Sequence, residues 1–243
     1  MRRFLRLVLV ALCCSLTVAS APPTCPLWRP AGRVTLDEAM AALEVPVGDV
    51  VRGWFSDAGA AFPPKNLDLL VLKEERQLEI WAPGARGRPV MVHRLPVLGA
   101  SGHAGPKLRE GDGQVPEGIY RVRVLNPNSR YHLSMGTDYP NALDREAARI
   151  ERRSNLGGDI FLHGGSASVG CVAVGDEAIE PLFWLVARAG KGRVRVLIAP
   201  WDLRAPDAPE PPAAAHALGE QRYRELTHAM APLVASPGDA PRL

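Results

Sequence analysis

Cysteine is scarce in this chain of 243 residues, which has four of them, and two of the four, Cys13 and Cys14, lie within the first 21 residues. The other two, Cys25 and Cys171, can form one bridge in an oxidising compartment but are too few for a disulfide scaffold. Long apolar runs are also missing. The apolar run at residues 5–18 is shorter than the roughly 20 residues that a membrane-spanning helix needs, so we expect no permanent membrane span.

A strong excess of one charge is missing as well. The formal net charge is +3, and Arg2, Arg3 and Arg6 account for it because the first 21 residues contain no acidic residue. Such a balance gives no reason to expect nucleic-acid binding. With 47% apolar and 23% charged residues, the composition is that of a globular domain and excludes collagen, coiled coil and wholesale disorder.

Residues 1–21 have the three parts of a secretory signal peptide. A basic start at Arg2 and Arg3 precedes a short apolar middle, and the segment ends in the small residues Ala19-Ser20-Ala21. We therefore expect export across the inner membrane, to the periplasm or the cell wall. The alternatives are an uncleaved membrane anchor and lipid attachment at Cys13 or Cys14.

The rest of the chain divides into three predicted parts: a helical preamble at 22–64, a strand-rich domain at 65–202, and a Pro-rich linker with a helical tail at 203–243. In the preamble, Thr35 and Glu38 have the spacing of a capping box and predict a short helix over 36–44, with a further turn or two over 50–58. In the tail, four prolines within 206–212 predict the linker, and the pattern over 213–230 predicts a weakly apolar helix.

Alternating apolar residues predict a series of strands in the middle part. A charged turn at 73–76 joins the first two strands into a hairpin. One helix interrupts the series, from Asp176 to Ala189, with Gly190 as its C-cap. The predicted strands are 67–72, 78–81, 90–97, 118–125, 131–135, 159–163 and 194–198.

The segment 159–172 contains the residues that point to chemistry. An apolar strand ends at His163, a loop of small residues follows, and Cys171 comes eight positions after the histidine. A thiol needs a base or a cation beside it to become a thiolate near neutral pH. The spacing therefore predicts a Cys171 nucleophile of lowered pKa, with His163 as its general acid and base. The alternative is that Cys171 is a small core residue and His163 a hydrogen-bonded histidine at a strand end.

The loop between the two residues has a predicted role of its own. Glycines permit tight turns and leave backbone N–H groups uncovered, which suits an oxyanion hole. We therefore assign the oxyanion loop to Gly164, Ser168 and Gly170. We expect no metal, because zinc needs three or four ligands and no third Cys or His lies near in sequence, and we expect no cofactor.

The segment His163-Gly164, followed by Ser168-Val169-Gly170-Cys171, resembles the catalytic signature of the L,D-transpeptidases, the YkuD-type cysteine enzymes of bacterial peptidoglycan. The short loop between His and Cys is similar to that of the YafK-like branch, and so are the stretches 55–81, 110–118 and 126–145. The resemblance covers roughly residues 50–200. It implies a mainly β, α+β fold: a β-sandwich or barrel-like catalytic domain with the active site at one end.

The resemblance also implies a reaction on peptidoglycan stem peptides. A Cys171 thioester resolved by an amine would make the protein a transpeptidase in cell-wall cross-linking or remodelling. Resolution by water would make it a hydrolase that releases a peptide, or a wall-attached lipoprotein, from peptidoglycan. A peptidoglycan-binding module without turnover is the third hypothesis.

Two positions depart from the family pattern. Many members have a histidine where this chain has Val169, which leaves His163 as the base. Many also carry an arginine, thought to hold a substrate carboxylate, where this chain has Ala173, so that contact must come from elsewhere. We assign candidate substrate contacts to Tyr131, Asn128 and Asp144.

Overall fold

The structure is a computed structural model that describes residues 30–85, 87–212 and 216–234. Residues 1–21, with the predicted signal peptide, and Cys25 lie outside the described residues. Helices in the described part are α1 (Leu36–Asp57), α2 (Ala142–Ile150), α3 (Asp176–Ala189) and α4 (Gly219–Met230). Strands are β1 (Leu67–Leu72), β2 (Gln77–Pro83), β3 (Pro89–Pro96), β4 (Gly99–Ala100), β5 (Gly118–Ser129), β6 (His132–Thr137), β7 (Phe161–His163), β8 (Val172–Ala173) and β9 (Val194–Ala199).

The strands form one mixed sheet in the order β3-β2-β1-β9-β5-β6-β7-β8-β4. β1 pairs with β9, and β7 with β8, in parallel, whereas the other neighbours are antiparallel. Side chains from both halves of the sheet, such as Ile80 and Leu162, join one core, so the sheet must curve around it. This architecture confirms the expected α+β class.

Helix α3 packs into the concave face of the sheet. Leu182, Phe183 and Trp184 are fully buried and belong to the same core as the apolar residues of β1, β5 and β9. Burying a side chain of this size contributes roughly 1.5–3 kcal/mol. The helix has the predicted bounds, and it ends at Gly190, whose φ of 84° suits a residue without Cβ.

Helix α1 is longer than predicted. The capping box of Thr35 and Glu38 is present, but the helix continues through Pro46 to Asp57 instead of ending near residue 44. Leu43, Val47, Val51 and Phe55 recur every four residues and are all buried. Packing of this continuous face outweighs the interior proline, because tertiary contacts supply most helix stability in proteins.

The predicted strands are confirmed with shifted ends. Three elements, β4, β8 and α2, were not predicted. β4 and β8 have two residues each, too few to show a period. Helix α2 begins with a capping box of Asn141 and Asp144, which is the spacing that located α1. That signal was available in the sequence, so the omission of α2 was avoidable. No helix in the described ranges is long and apolar enough to cross a membrane.

Helix α4 covers part of the convex face of the sheet. Tyr223, Leu226 and Met230 pack with Leu70, Trp81 and Leu197 in a second apolar cluster. The predicted helix over 213–230 therefore exists from Gly219 onward, while residues 213–215 lie outside the described part.

Buried polar contacts fasten α4 to the loops beside the sheet. Arg222 Nη1 lies 2.9 Å from Asp144 Oδ1, and both side chains are almost completely buried. Tyr223 Oη donates to Glu117 Oε2 at 2.5 Å, and Lys73 Nζ lies 2.8 Å from Glu117 Oε1. The C-terminal helix is thus joined to the same structure as the strands.

Replacing Arg222 with methionine is expected to lower the free energy of unfolding by about 3–5 kcal/mol, because Asp144 would keep a buried charge without its cation. Arg224→Met, on the exposed face of α4, is the matched control and should change that free energy by no more than about 0.5 kcal/mol. Urea denaturation followed by tryptophan fluorescence measures both. Equal effects of the two substitutions would contradict the role of the buried pair.

Candidate active site

The parallel pairing of β7 with β8 brings His163 and Cys171 together. Leu162 lies opposite Val172 and His163 opposite Ala173. Cys171 directly precedes β8 and is two positions from Ala173, so its side chain projects to the same side of the sheet as that of His163. The eight-residue spacing seen in the sequence therefore places the thiol and the imidazole on the same face of two adjacent strands.

Glycines make the short connection between the two strands possible. Gly170, just before the cysteine, has a φ of +92°, a conformation that side chains disfavour. At Gly164 there is no room for a side chain, since a Cβ there would lie 2.5 Å from Asp176 Oδ1 and 2.7 Å from the Tyr131 carbonyl oxygen. Asp176 Oδ1 also accepts the Gly165 N–H at 2.7 Å, which ties the loop to the start of α3.

The thiol of Cys171 contacts backbone groups of the preceding strand. Sγ accepts a hydrogen bond from the Phe161 N–H at 3.4 Å and donates to the Asp159 carbonyl at 3.5 Å. Burial is the largest effect and raises the pKa of the thiol, and the Asp159 charge also raises it. The Phe161 hydrogen bond and the Lys107 charge lower the pKa, but the net result is a rise above the ordinary value. The expectation of a lowered Cys171 pKa is therefore wrong for the resting site, because desolvation outweighs the stabilising contacts.

The imidazole of His163 is buried and has a defined tautomer. Its Nδ1 lies 2.6 Å from the Gly164 carbonyl oxygen, and a carbonyl can only accept, so Nδ1 carries the proton and Nε2 keeps its lone pair. Burial lowers the pKa of His163, and the Gly164 hydrogen bond opposes this only in part. The pair at rest is consequently a neutral thiol beside a neutral imidazole whose Nε2 can accept a proton.

Tyr131 is the predicted substrate contact that the structure places at the site. Its ring stacks on the His163 ring with 4.5 Å between centroids and 29° between planes. About half of the side chain is exposed. Tyr131 therefore limits the movement of the imidazole while presenting a ring face to solvent, and substrate contact by Tyr131 stays a prediction.

The other two predicted substrate contacts have roles inside the protein. Asn128 Oδ1 accepts the Val34 N–H, and Asn128 Nδ2 donates to the Val34 carbonyl, both at 2.8 Å. Asp144 is buried, where it caps α2 and pairs with Arg222. These contacts hold the N-terminal segment and α4 in place, so the structure does not support substrate binding by Asn128 or Asp144.

Two serine hydroxyls hold the backbone on either side of Cys171. Ser168 Oγ donates to the Cys171 carbonyl at 2.6 Å and accepts the Ser101 N–H at 3.0 Å. Ser101 Oγ accepts the Gly170 N–H at 2.7 Å and donates to the Gly113 carbonyl at 2.6 Å. Sequence reasoning missed Ser101, which lies 69 positions from Gly170 in a stretch without a helical or strand period.

These contacts correct the predicted oxyanion loop. The Gly170 N–H is bound by Ser101, and the Gly164 N–H donates to the carbonyls of Tyr131 and Leu133 at 3.1 and 3.2 Å. Ser168 is engaged with the Cys171 carbonyl. Gly164, Ser168 and Gly170 therefore shape the loop that presents the cysteine, and these three donors are bonded to other groups of the protein.

Within the described ranges, no group of three or more His, Cys, Asp or Glu side chains could hold a metal ion, and Cys171 and His163 therefore belong to no such group. The site is thus a thiol with a neutral base on an adjacent strand, flanked by an aromatic ring. Such an arrangement has the components that a cysteine nucleophile with a general base requires.

Comparison with known proteins gives the family. Residues 68–198, more than half of the chain, match the family model of the L,D-transpeptidase catalytic domain, YkuD. The chain belongs to this family, as its resemblance indicated. It is also 32% identical over 136 residues to YafK of Escherichia coli K12, a protein named as an unconfirmed L,D-transpeptidase. That match covers 54% of this chain and 52% of YafK, so the chain spans about half the length of the curated relative.

Solved structures with related folds are more distant. The helical cell shape determining protein Pgp2 of Campylobacter jejuni is 20% identical, with a TM-score of 0.46 over 74% of this chain and 62% of that one. Bd1075 of Bdellovibrio bacteriovorus is 20% identical, with a TM-score of 0.41 over 68% and 55%. At these values the likenesses bear on neither the substrate nor the reaction of this chain.

The neutral resting pair predicts how alkylation of Cys171 depends on pH. The rate with iodoacetamide should rise through a midpoint above the value of about 8.5 for a free thiol, because burial disfavours the thiolate. Asp159→Asn should move the midpoint down, since it removes a nearby negative charge, and asparagine tolerates the positive φ of 53° at this position. A midpoint well below 8 would contradict the neutral pair and indicate a preformed thiolate and imidazolium.

Proposed function

We propose that the protein is a secreted cysteine enzyme that acts on peptidoglycan stem peptides through a thioester on Cys171. The observation that carries the proposal is the tautomer of His163: the Nδ1–H is held by the Gly164 carbonyl, so the unprotonated Nε2 is available to the thiol on the neighbouring strand. Family membership supports peptidoglycan as the substrate class. The resting pair is neutral, so we assign His163 the role of general base during attack.

The first half of the reaction forms the thioester. His163 Nε2 takes the Sγ proton as sulfur attacks the carbonyl carbon of the third stem residue, an L-centre followed by D-alanine. The tetrahedral intermediate collapses with cleavage of the peptide bond, and the imidazolium returns the proton to the leaving amine of D-alanine. Proton transfer of this kind contributes about 10²–10⁴-fold to a rate.

The oxyanion donor is assigned to the N–H of Cys171 itself. Ser101 Oγ accepts the N–H of Gly170, which belongs to the preceding peptide group. Ser168 Oγ donates to the carbonyl of Cys171, which belongs to the following peptide group. The orientation of the Cys171 N–H is therefore fixed before substrate arrives, which is the condition under which such a donor is most effective.

The second half of the reaction decides between two activities. An acceptor amine that attacks the thioester gives a cross-link or an attachment to a protein, whereas water gives net cleavage of a stem peptide or release of a wall-attached lipoprotein. In both cases His163 removes a proton from the attacking group and returns it to sulfur. We take transpeptidation as the primary proposal, with hydrolysis as the alternative.

Mass spectrometry of defined muropeptides incubated with protein lacking residues 1–21 tests the proposal. Wild-type protein should release D-alanine and form a cross-linked product, and Cys171→Ala should form neither. His163→Gln should lower the rate by about 10²–10⁴-fold. His228→Gln, on the exposed face of α4, should not change it. Cleavage without a cross-link would establish the hydrolase. Products that persist in Cys171→Ala, or no product from any variant, would overturn the enzyme proposal and favour a binding module.

Export of the protein is a separate proposal that rests on residues 1–21. Expression of the full chain in a Gram-negative host should place it in the periplasm, with a mature N-terminus at Pro22 found by N-terminal sequencing. Replacing Arg2, Arg3 and Arg6 with glutamate should slow export, because the basic start of a signal peptide would be lost. Full-length protein in the cytoplasm would contradict the proposal.

A further inference from the structure

A cleft of about 510 Å³ lies between two loops that also contact the segment around Cys171. One wall belongs to the loop at 101–117 and the other to the loop at 151–160. The two loops are joined where the Glu110 N–H donates to the Asn155 carbonyl at 2.9 Å and Arg153 Nη1 donates to the Leu108 carbonyl at 2.6 Å. These cross-links hold the walls at a fixed separation.

Both walls of the cleft lead to the nucleophile. In the first loop, Ser101 binds the Gly170 N–H, and the Gln114 carbonyl oxygen lies 3.3 Å from where a Cβ of Gly170 would be. The second loop ends at Asp159, whose carbonyl accepts the hydrogen bond from Cys171 Sγ. The two loops that form the cleft therefore contact Cys171 and the residue before it.

The acidic side chain within the cleft is neutralised by the protein itself. Asp112 Oδ1 lies 2.5 Å from Lys107 Nζ, and its carboxylate also accepts the N–H groups of Leu108, Arg109 and Gln114. Burial alone would raise the pKa of Asp112, but these hydrogen bonds lower it to about 2. Its charge is thus balanced at every pH at which the protein would function.

Arg109 combines a backbone that is fixed by hydrogen bonds with an exposed side chain. Its N–H donates to Asp112 at 3.0 Å, and its carbonyl accepts from Lys107 Nζ at 2.9 Å. Its side chain is exposed and lines the cleft. Within the described ranges, no carboxylate lies within 4.0 Å of its guanidinium. The backbone is therefore fixed while the charge is available to a ligand.

Arg153 lines the same cleft from the opposite wall. Its Nε lies 2.5 Å from Glu151 and its Nη1 is bound to the Leu108 carbonyl, so its guanidinium has a fixed position. Since Arg153 is paired with Glu151, the charge that the cleft offers to an anionic ligand comes from Arg109, whose planar fork can bind a carboxylate through two parallel hydrogen bonds.

We propose that this cleft is a carboxylate subsite, in which Arg109, with Arg153 on the facing wall, binds a free carboxylate of the peptide whose carbonyl reaches Cys171. The inference rests on the proposed function for the nature of the peptide. The carboxylate has two sources, the side chain of the third stem residue and the C-terminus of the terminal D-alanine. The shared chemistry is a carboxylate on a short peptide.

Calorimetric titration of the Cys171→Ala variant tests binding without turnover. The probes are a stem tetrapeptide with both carboxylates free and two matched peptides, one amidated at the side chain of the third residue and one at the C-terminus. One of the two amides should bind about 10-fold to 100-fold more weakly than the free acid, and this identifies the source. Adding Arg109→Ala should weaken the free acid by a similar factor and abolish its advantage over that amide.

Two further variants separate a binding role from a structural one. Arg153→Lys keeps the positive charge but loses the guanidinium N–H groups that hold Glu151 and the Leu108 carbonyl, and should weaken the free acid less than Arg109→Ala does. Arg224→Ala, on the exposed face of α4, is the control and should leave the affinity unchanged. Equal affinities for the acid and both amides, or an acid preference that survives Arg109→Ala, would overturn the proposal.

Turnover of the same three peptides by the Cys171-containing protein separates this inference from the proposed function. Arg109→Ala should raise KM for the free acid about 10-fold or more and leave kcat within a factor of about two, because the contact is made equally in the ground state and the transition state. Acid-selective binding without turnover would overturn the proposed function alone. Turnover without acid selectivity would overturn the subsite alone, and the absence of both would overturn both.

Discussion

The parallel pairing of β7 with β8 is the contact on which the active site depends. Two strands that run side by side in the same direction usually need a dozen or more residues between them, but here the loop from His163 to Cys171 makes the connection in eight positions. The small residues of the loop permit this, and Ser101 and Asp176 hold it from two other parts of the chain. If that pairing shifted by one residue, the thiol and the imidazole would face opposite sides of the sheet.

Burial of this pair determines its electrostatic state. The site holds the thiol and the imidazole in their neutral forms, because desolvation disfavours both the thiolate and the imidazolium. A neutral thiol is less reactive than a thiolate, so the pair limits side reactions of Cys171 at rest. The proposed reaction therefore requires charge separation during attack, which the oriented Nε2 and the proposed oxyanion donor would assist.

The rest of the fold supports the loops around this pair from both faces of the sheet. Helix α3 fills the concave side and its first residue, Asp176, holds the catalytic loop. Helix α4 covers part of the convex side, and Tyr223 reaches Glu117, whose carboxylate also accepts the Gly105 N–H. Gly105 belongs to the loop that forms one wall of the cleft. The C-terminal segment is therefore connected to the site through buried hydrogen bonds.

Sequence patterns located the strands, the bounds of α3, and the residues Cys171 and His163, because each of these depends on neighbours within a few positions along the chain. They also gave the family, since the segment His163-Gly164 and Ser168-Val169-Gly170-Cys171 is contiguous. The length of α1 was misjudged because the packing of its buried face on the core outweighed the effect of Pro46.

Tertiary structure decided the remaining properties of the site. The raised pKa of Cys171 follows from burial, and the tautomer of His163 from the direction of the Gly164 carbonyl. The contacts of Asn128 and Asp144 join segments 94 and 78 positions apart. Hydrogen bonds and desolvation act over a few ångströms in space, so a pattern along the chain could single out Cys171 and His163 but could not determine their charge state or their supporting residues.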